Sequence, residues 1–255
     1  MSERAVWDRL ADDWLKQVGT QGDRNRYFNS DPVLWRFAGD VLGRRVLDAG
    51  CGTGYLSGQL DARGALVRGV DVSSRMIDIA RGQFPDIAFA LDSCAVLDSV
   101  ANASVDLIVS NYVLMDLEDL EGAMRSFARV LVDGGEAVVV FAHPCFPQGV
   151  ADVSIKGRKV RYSWQFPYFE RNRCAEPAWG HFRSEFLWYH RPLSDYWKAF
   201  LAAGFLVADF EEPRLDEGLV AEIENEKTAN KFRTRPFSVA FRLVKGGSIR
   251  SSSEA

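Results

Sequence analysis

Much that commonly decides a protein's class is scarce in these 255 residues. There are only four cysteines and three histidines. Cys51, Cys94, Cys145 and Cys174 stand far apart with no C-x-x-C pair, which argues against a disulfide framework and fits reduced thiols in a cytoplasmic protein. No group of ligand-type side chains has metal-site spacing, so no metal is expected. Neither sign of charge dominates: 31 Lys and Arg against 35 Asp and Glu leave a net charge of −4. A nucleic-acid phosphate backbone finds no electrostatic footprint in that balance, so nucleic acid is not an expected partner. No apolar run approaches the roughly 18 residues that a membrane helix needs, and a start carrying Glu3, Arg4 and Asp8 does not read as a secretory leader. No membrane partner is expected; a monomer and a homodimer both stay open. There is no internal repeat.

What is present is a chain 47% hydrophobic, enough for one α/β domain with an insertion. Its organising stretch is residues 45–57, Arg-Val-Leu-Asp-Ala-Gly-Cys-Gly-Thr-Gly-Tyr-Leu-Ser. A short apolar strand (Val46, Leu47) runs into a turn with Gly50, Gly52 and Gly54, then into a helix with Leu56 and Leu60 inward. Glycine permits a tight turn and a close ligand approach to the main chain. A second strand over 66–72 carries Asp71, whose carboxylate can bind both hydroxyls of a ribose. The unit reads as a nucleoside-binding crevice. It departs from the dinucleotide fingerprint G-x-G-x-x-G. Asp48, two residues before the first glycine, would repel a pyrophosphate and welcome an ammonium.

Residues 46–57 with Val70-Asp71-Val72-Ser73 resemble the first two motifs of class I S-adenosylmethionine-dependent methyltransferases, in particular the small-molecule branch typified by ubiquinone and menaquinone biosynthesis. The resemblance runs from about Val46 to Ala142 and takes in the last strands. It implies S-adenosylmethionine as cofactor. Around the turn the implied binding residues are Asp48, Gly50, Cys51, Gly52 and Gly54; beyond it they are Asp71, Val72, Met76 and Asn111. At the end of a third strand (87–91), the family's acid that receives the adenine amino group falls on Asp92, with Ser93 beside the ring. Adenine methyltransferases of DNA and RNA usually carry (Asp/Asn)-Pro-Pro-(Tyr/Phe) after the fourth strand. Here Ser110-Asn111-Tyr112-Val113 stands instead, again against a nucleic-acid substrate.

The expected fold is a seven-stranded Rossmann-like, doubly wound α/β sheet of order 3-2-1-4-5-7-6, last strand antiparallel, with an aromatic-rich cap insertion. Residues 1–43 form a helical cap, 44–147 the cofactor-binding core, 148–191 the insertion, 192–245 a helix and final strands, and 246–255 a disordered tail. Helix 3–18 is amphipathic, and Trp7 and Trp14 are either core or a lid on the crevice. The loop 19–30 with Arg24, Arg26 and Tyr27 either binds cofactor carboxylate or substrate, or is a solvated linker. Asp31 reads as a helix N-cap with Gly43 ending that helix, and Ser194 as a later N-cap. Residues 133–135 read as a turn, and 216–227 as an acidic helix.

His143 closes the fifth strand and is either a general base, an orienting donor or a plain terminator; His190 is the other candidate base. In the insertion, 160–164 and 182–189 alternate like strands. Its aromatics serve as pocket, as core or as interface. The acceptor-site residues expected are Trp7, Tyr27, Tyr112, Phe146, Trp164, Phe169 and Trp188. The function expected is methyl transfer to an N or O atom of a small aromatic or heteroaromatic molecule. A nicotinamide oxidoreductase and a non-catalytic binding domain are the alternatives.

Overall fold

A computed structural model of the protein describes residues 2–146, 150–155, 159–164, 166–215, 218, 220, 223, 229 and 233–246, with the main chain alone at 150–155 and 159–160. Apolar side chains on both faces of the strands bury the sheet. In β5 (Leu131–Ala142), Val139 and Phe141 face one layer while Val138 and Val140 face the other. Successive side chains of a strand point to opposite faces, so a near-continuous apolar run marks a strand covered on both.

Seven strands lie in the order β10 (Phe205–Glu211), β11 (Ser238–Lys245), β5, β4 (Val105–Asn111), β1 (Arg45–Ala49), β2 (Leu66–Asp71) and β3 (Ala88–Leu91). Val46 of β1 sits between Val67 and Leu107, in parallel register with both neighbours. β11 is antiparallel to both of its neighbours, setting Val239 beside Phe141 and Phe241 beside Phe210. This is the expected order 3-2-1-4-5-7-6, with β10 and β11 as the sixth and seventh core strands.

Among the described residues, six α-helices cover the sheet and its mouth: α1 (Glu3–Val18), α2 (Asp31–Ala38), α3 (Tyr55–Asp61), α4 (Ser74–Gln83), α5 (Leu120–Val130) and α6 (Leu193–Ala202). Leu120, Ala123, Phe127 and Val130 bring α5 down on one face, where Tyr196 of α6 stacks on Phe141 with ring centroids 4.3 Å apart. Burial of each such ring contributes about 2–3 kcal/mol. The Asp119 carboxylate caps α5 by accepting from Gly122 N–H at 2.8 Å, a contact worth about 1 kcal/mol.

Several boundaries differ from the sequence reading. Helix α2 ends at Ala38, where Gly39 turns the chain with φ +63°, so Gly43 does not terminate it. Asp31 is not its N-cap: the carboxylate accepts the Tyr55 hydroxyl instead. Ser194 is likewise inside α6, with Pro192 at the cap position. The expected turn at 133–135 is an irregularity within β5, because Leu131 already pairs with Val105 before Glu136 pairs with Leu107. Residues 26–30 of the expected loop wind into a π-helical turn. Most of 216–227 and all of 247–255 lie outside the described residues.

The insertion forms two antiparallel ribbons, β6 (Val150–Ile155) with β7 (Lys159–Ser163) and β8 (Asn172–Glu176) with β9 (Phe186–His190). The second ribbon is clasped to the body. Tyr189 N–H donates to Met115 O at 2.7 Å, Phe182 packs against Val6 and Leu10 of α1, and the Asp13 carboxylate accepts Arg183 N–H at 3.0 Å.

Candidate active site

At the carboxyl ends of β1, β2 and β4 the chain leaves a crevice, counted out to its mouth, of about 830 Å³. Its floor is the glycine turn. Gly50 has φ +80°, and a Cβ there would sit 2.3 Å from Val113 Cγ2, so no other residue fits that position without displacing Val113. The turn's own N–H groups are spent internally. Gly50 and Cys51 both donate to Val70 O at 2.9 Å, Gly52 to Asp71 Oδ2 at 2.9 Å, and Gly54 to Cys51 O at 2.9 Å. A pyrophosphate would find none of these four donors free.

The charge at the floor is acidic. Asp48 is buried and accepts the Ser57 hydroxyl at 2.6 Å; burial pushes its carboxyl up to about 7. Asp71 accepts Ser73 N–H at 2.9 Å besides Gly52, and burial lifts it to about 6. Desolvation disfavours the charged form of a carboxyl, and an incoming cation reverses that penalty. Two further acceptors on the lining, Thr53 Oγ1 and Asn111 Oδ1, are buried without a hydrogen-bond partner. A buried acceptor without a donor is costly, so both are poised for a ligand donor.

Beyond the crevice lies a wider chamber of about 1710 Å³, counted the same way, between α1 and the β8–β9 ribbon. Trp7, Trp14, Arg26, Tyr112 and Asp116 line both spaces and mark where they meet. Tyr112 holds this junction in a left-handed backbone conformation (φ +58°), a cost of about 1–3 kcal/mol. Its hydroxyl is pinned by Ser238 Oγ at 2.5 Å and Asn29 Nδ2 at 3.0 Å. The chamber walls are aromatic, with Trp179, Phe186, Trp188 and Tyr189 from the insertion.

The two histidines separate. His190 is 3% exposed and lines the chamber; its Nε2–H donates to Tyr168 O at 2.8 Å, which leaves Nδ1 with a lone pair and no partner. His143 lines neither space. Its Nε2 bonds Glu212 at 2.8 Å and its Nδ1 accepts Cys145 N–H at 3.1 Å, so both nitrogens are occupied, and burial lowers its pKa. The structure thus sets His143 in a structural bond between β5 and the chain after β10.

Among the expected cofactor residues, Asp48, Gly50, Cys51, Gly52, Asp71, Val72, Met76, Ser93 and Asn111 line the crevice. Gly54 instead packs toward Phe84, and both carboxylate oxygens of Asp92 accept from its own loop, at Ser93 N–H and Ser99 N–H, each at 2.7 Å. Of the expected acceptor residues, Trp7, Tyr112 and Trp188 line the chamber, while four do not. Tyr27 is 60% exposed beside Phe28; Phe146 packs on His143; Trp164 donates Nε1–H to Cys145 O; Phe169 is 82% exposed. Its neighbour Tyr168 turns inward instead, accepting Leu193 N–H at 2.8 Å. Alternation in a sequence does not say which face of a ribbon looks in. The insertion's aromatics are divided: some wall the chamber, Phe182 joins a core cluster with α1, and Trp164 and Phe169 are exposed. The reading also missed Asp116 and Glu176, of which Asp116 stands just past the strand end that ordinarily faces a ligand.

Residues 47–139 match the family described as a methyltransferase domain. Over 119 residues the chain is 35% identical to a demethylmenaquinone methyltransferase of Tropheryma whipplei (strain Twist), covering 43% of this chain and 49% of that one. Over 95 residues it is 39% identical to the biotin biosynthesis bifunctional protein BioHC of Cellvibrio japonicus (strain Ueda107), covering 37% and 19%. The chain therefore spans half or less of these curated relatives' lengths. Its fold overlays on an S-adenosylmethionine-dependent methyltransferase from Mesorhizobium loti with a TM-score of 0.70 at 22% identity, over 84% of this chain and 96% of that one. Over residues 47–139 the chain is thus similar to a methyltransferase domain, and its fold is that of class I methyltransferases, a class whose cofactor is S-adenosylmethionine. The crevice fits that cofactor. Its raised carboxyls suit a molecule with cationic sulfonium and ammonium groups, its orphaned acceptors suit the ammonium and the hydroxyls, and its spent N–H groups disfavour a dinucleotide.

Proposed function

We propose that the protein transfers a methyl group from S-adenosylmethionine to an N or O atom of a small aromatic or heteroaromatic molecule. The observation that carries this reading is the meeting of the two spaces at Trp7, Tyr112 and Asp116, one floored by the glycine turn and acids, the other walled by aromatic rings. Bound there, the cofactor supplies an electrophilic methyl on a sulfonium. The chain's own part is alignment and exclusion of water. Asp71 would receive the ribose hydroxyls; Asp48, Thr53 and Asn111 would face the amino-acid end; Met76 and Ser93 would flank the adenine. Trp7 and Trp14, edge to face with centroids 5.4 Å apart, close the roof between the two spaces. At the acceptor end, the Tyr168 carbonyl holds His190 in the tautomer that leaves Nδ1 free to take a proton from a bound hydroxyl or N–H.

Titration calorimetry with S-adenosylhomocysteine, with NADH as the control ligand, tests the cofactor half. Micromolar binding of the first alone supports the reading; binding of NADH alone sinks it. For the acceptor half, His190→Gln should lower kcat by roughly 100-fold or more with unchanged S-adenosylhomocysteine affinity, the scale of a lost general base. An unchanged rate across pH would remove His190 from the chemistry.

A further inference from the structure

The chamber holds two acids that are uncompensated among the described residues. Asp116 sits at the junction of crevice and chamber, and Glu176 lies on the chamber wall at the end of β8. Among the described residues neither carboxyl has an ion pair or a hydrogen-bond donor. The nearby charge that acts on Asp116 is another acid, Glu3, and burial with that neighbour lifts Asp116 well above the usual carboxylate range. Glu176 is exposed, and partial desolvation by its surroundings lifts it. Of the chamber's cations, Arg26 is paired with Asp23 at 3.2 Å and lies over the Trp14 ring. Arg191 donates through Nη2 to Leu117 O and Glu118 O at 2.7 Å and acts on Glu3, while its Nη1 has no hydrogen-bond partner among the described residues.

Asp116 is partly buried and Glu176 exposed. A carboxyl withdrawn from water without a partner, as Asp116 is, is costly to keep charged, and a bound cation offsets that cost. Aromatic faces attract cations by their quadrupole, and Trp7, Trp14, Trp179, Trp188 and Tyr189 surround this space. A second, independent feature belongs to the same chamber: His190, 3% exposed, is part of its lining, and its buried Nδ1 has no hydrogen-bond partner among the described residues. That atom calls for a ligand donor.

We propose that the methyl acceptor is an aromatic amine-bearing molecule, held as an ammonium at Asp116 with Glu176 as a second acid, and relieved of a proton by His190. The inference rests on the methyltransferase reading above. In the step, an ammonium proton passes to His190 Nδ1 and frees the nitrogen lone pair. That pair forms the new N–C bond as the C–S bond breaks, the bonding electrons staying on sulfur as a thioether. The product is a methylated ammonium, so the positive charge lost at sulfur reappears at nitrogen. Asp116, lining both spaces, faces the charge before and after transfer.

The test is calorimetry on the full chain saturated with S-adenosylhomocysteine. The probes are tryptamine, tyramine and phenethylamine, each against its uncharged alcohol analogue: tryptophol, tyrosol and 2-phenylethanol. At least one amine should bind about 10-fold or more tighter than its alcohol, as expected of a hydrogen bond to a charged group. Asp116→Asn should abolish that preference, Asp116→Glu should retain it, and Glu176→Gln should trim it. Alcohols bound as tightly as amines, no amine bound at all, or a preference that survives Asp116→Asn would each overturn the proposal. Uptake of S-adenosylhomocysteine with no amine preference would defeat this inference alone. Failure to take up S-adenosylhomocysteine would defeat the methyltransferase reading and this inference with it.

Discussion

The glycine-floored crevice and the aromatic chamber adjoin, yet they are made in opposite ways. The crevice is built from main chain. A glycine turn closes on itself through N–H bonds to Val70 O and Asp71, strand ends deliver the acids, and Val113 leaves no room for a Cβ at Gly50. The chamber is built from side chains on a two-stranded ribbon, held to the body by a few contacts such as Tyr189 to Met115 and Arg183 to Asp13. The lesson is one of tolerance. A site made of backbone fixes its residues and its ligand; a wall made of rings on a clasped ribbon can be re-dressed to suit a different acceptor without disturbing the sheet.

Because the crevice is fixed by buried acids, its largest signature should be in stability against pH. Asp48 and Asp71 have folded-state values above their unfolded ones, about 7 and about 6 against 3.8. The folded chain therefore binds more protons than the unfolded chain between those values. This contribution is fully present below about pH 4 and is lost as pH rises through 6 to 7, at up to about 1.4 kcal/mol per pH unit for each group. Urea unfolding of the ligand-free protein from pH 5 to 8 should show the decline, and Asp48→Asn should flatten it. A flat profile in the parent protein would mean that the crevice acids are compensated after all.

The second way to sharpen the contrast is a pair of variants. Asp71→Asn should weaken S-adenosylhomocysteine binding by about 10- to 100-fold, roughly 1.5–3 kcal/mol, and leave the acceptor KM nearly unchanged. Trp188→Ala should do the reverse, raising the acceptor KM by about 10-fold for the lost ring contact while cofactor affinity holds. Should both variants move both quantities together, crevice and chamber act as one unit, and the division drawn between them fails.

The same division explains what could be read in advance. The strand at β5, the glycine turn and the acid at the end of β2 were legible from local rules: near-continuous apolar residues, a glycine at Gly50, an acid at a strand end for Asp71. The strand order and the other cofactor residues came with the resemblance to class I methyltransferases. Asp92 was assigned by that resemblance, but its oxygens close their own loop, a competition that sequence does not display. The chamber was far less legible. A ribbon dense in rings looks alike on both faces, so of the rings expected at the acceptor site Trp188 lines the chamber while Trp164 and Phe169 are exposed. Strand β8 (Asn172–Glu176), which completes the wall and brings Glu176, has no apolar alternation to announce it. Asp116 was hidden for another reason. Its significance lies in the partners it does not have, and that is visible only once everything around it has been placed.

The smallest expected effect separates the two histidines. His143 lies at the end of β5, where the topology points to the chemistry, yet it is committed to Glu212 and to Cys145 N–H. His143→Gln keeps one hydrogen bond toward either partner. It should leave kcat unchanged and cost about 1 kcal/mol of stability, the net worth of a single intramolecular bond. Its pH signature should run opposite to that of the crevice acids. Burial lowers the folded-state value of His143 below 6.5, so the unfolded chain binds the extra proton. The stability tied to His143 is therefore whole above pH 6.5 and declines on acidification below it, and in the glutamine variant that acid limb should vanish. If instead kcat falls while the acid limb persists, His143 would be serving the reaction and His190 the fold. The assignment of the proton acceptor would then have to move from the chamber wall back to the end of the strand.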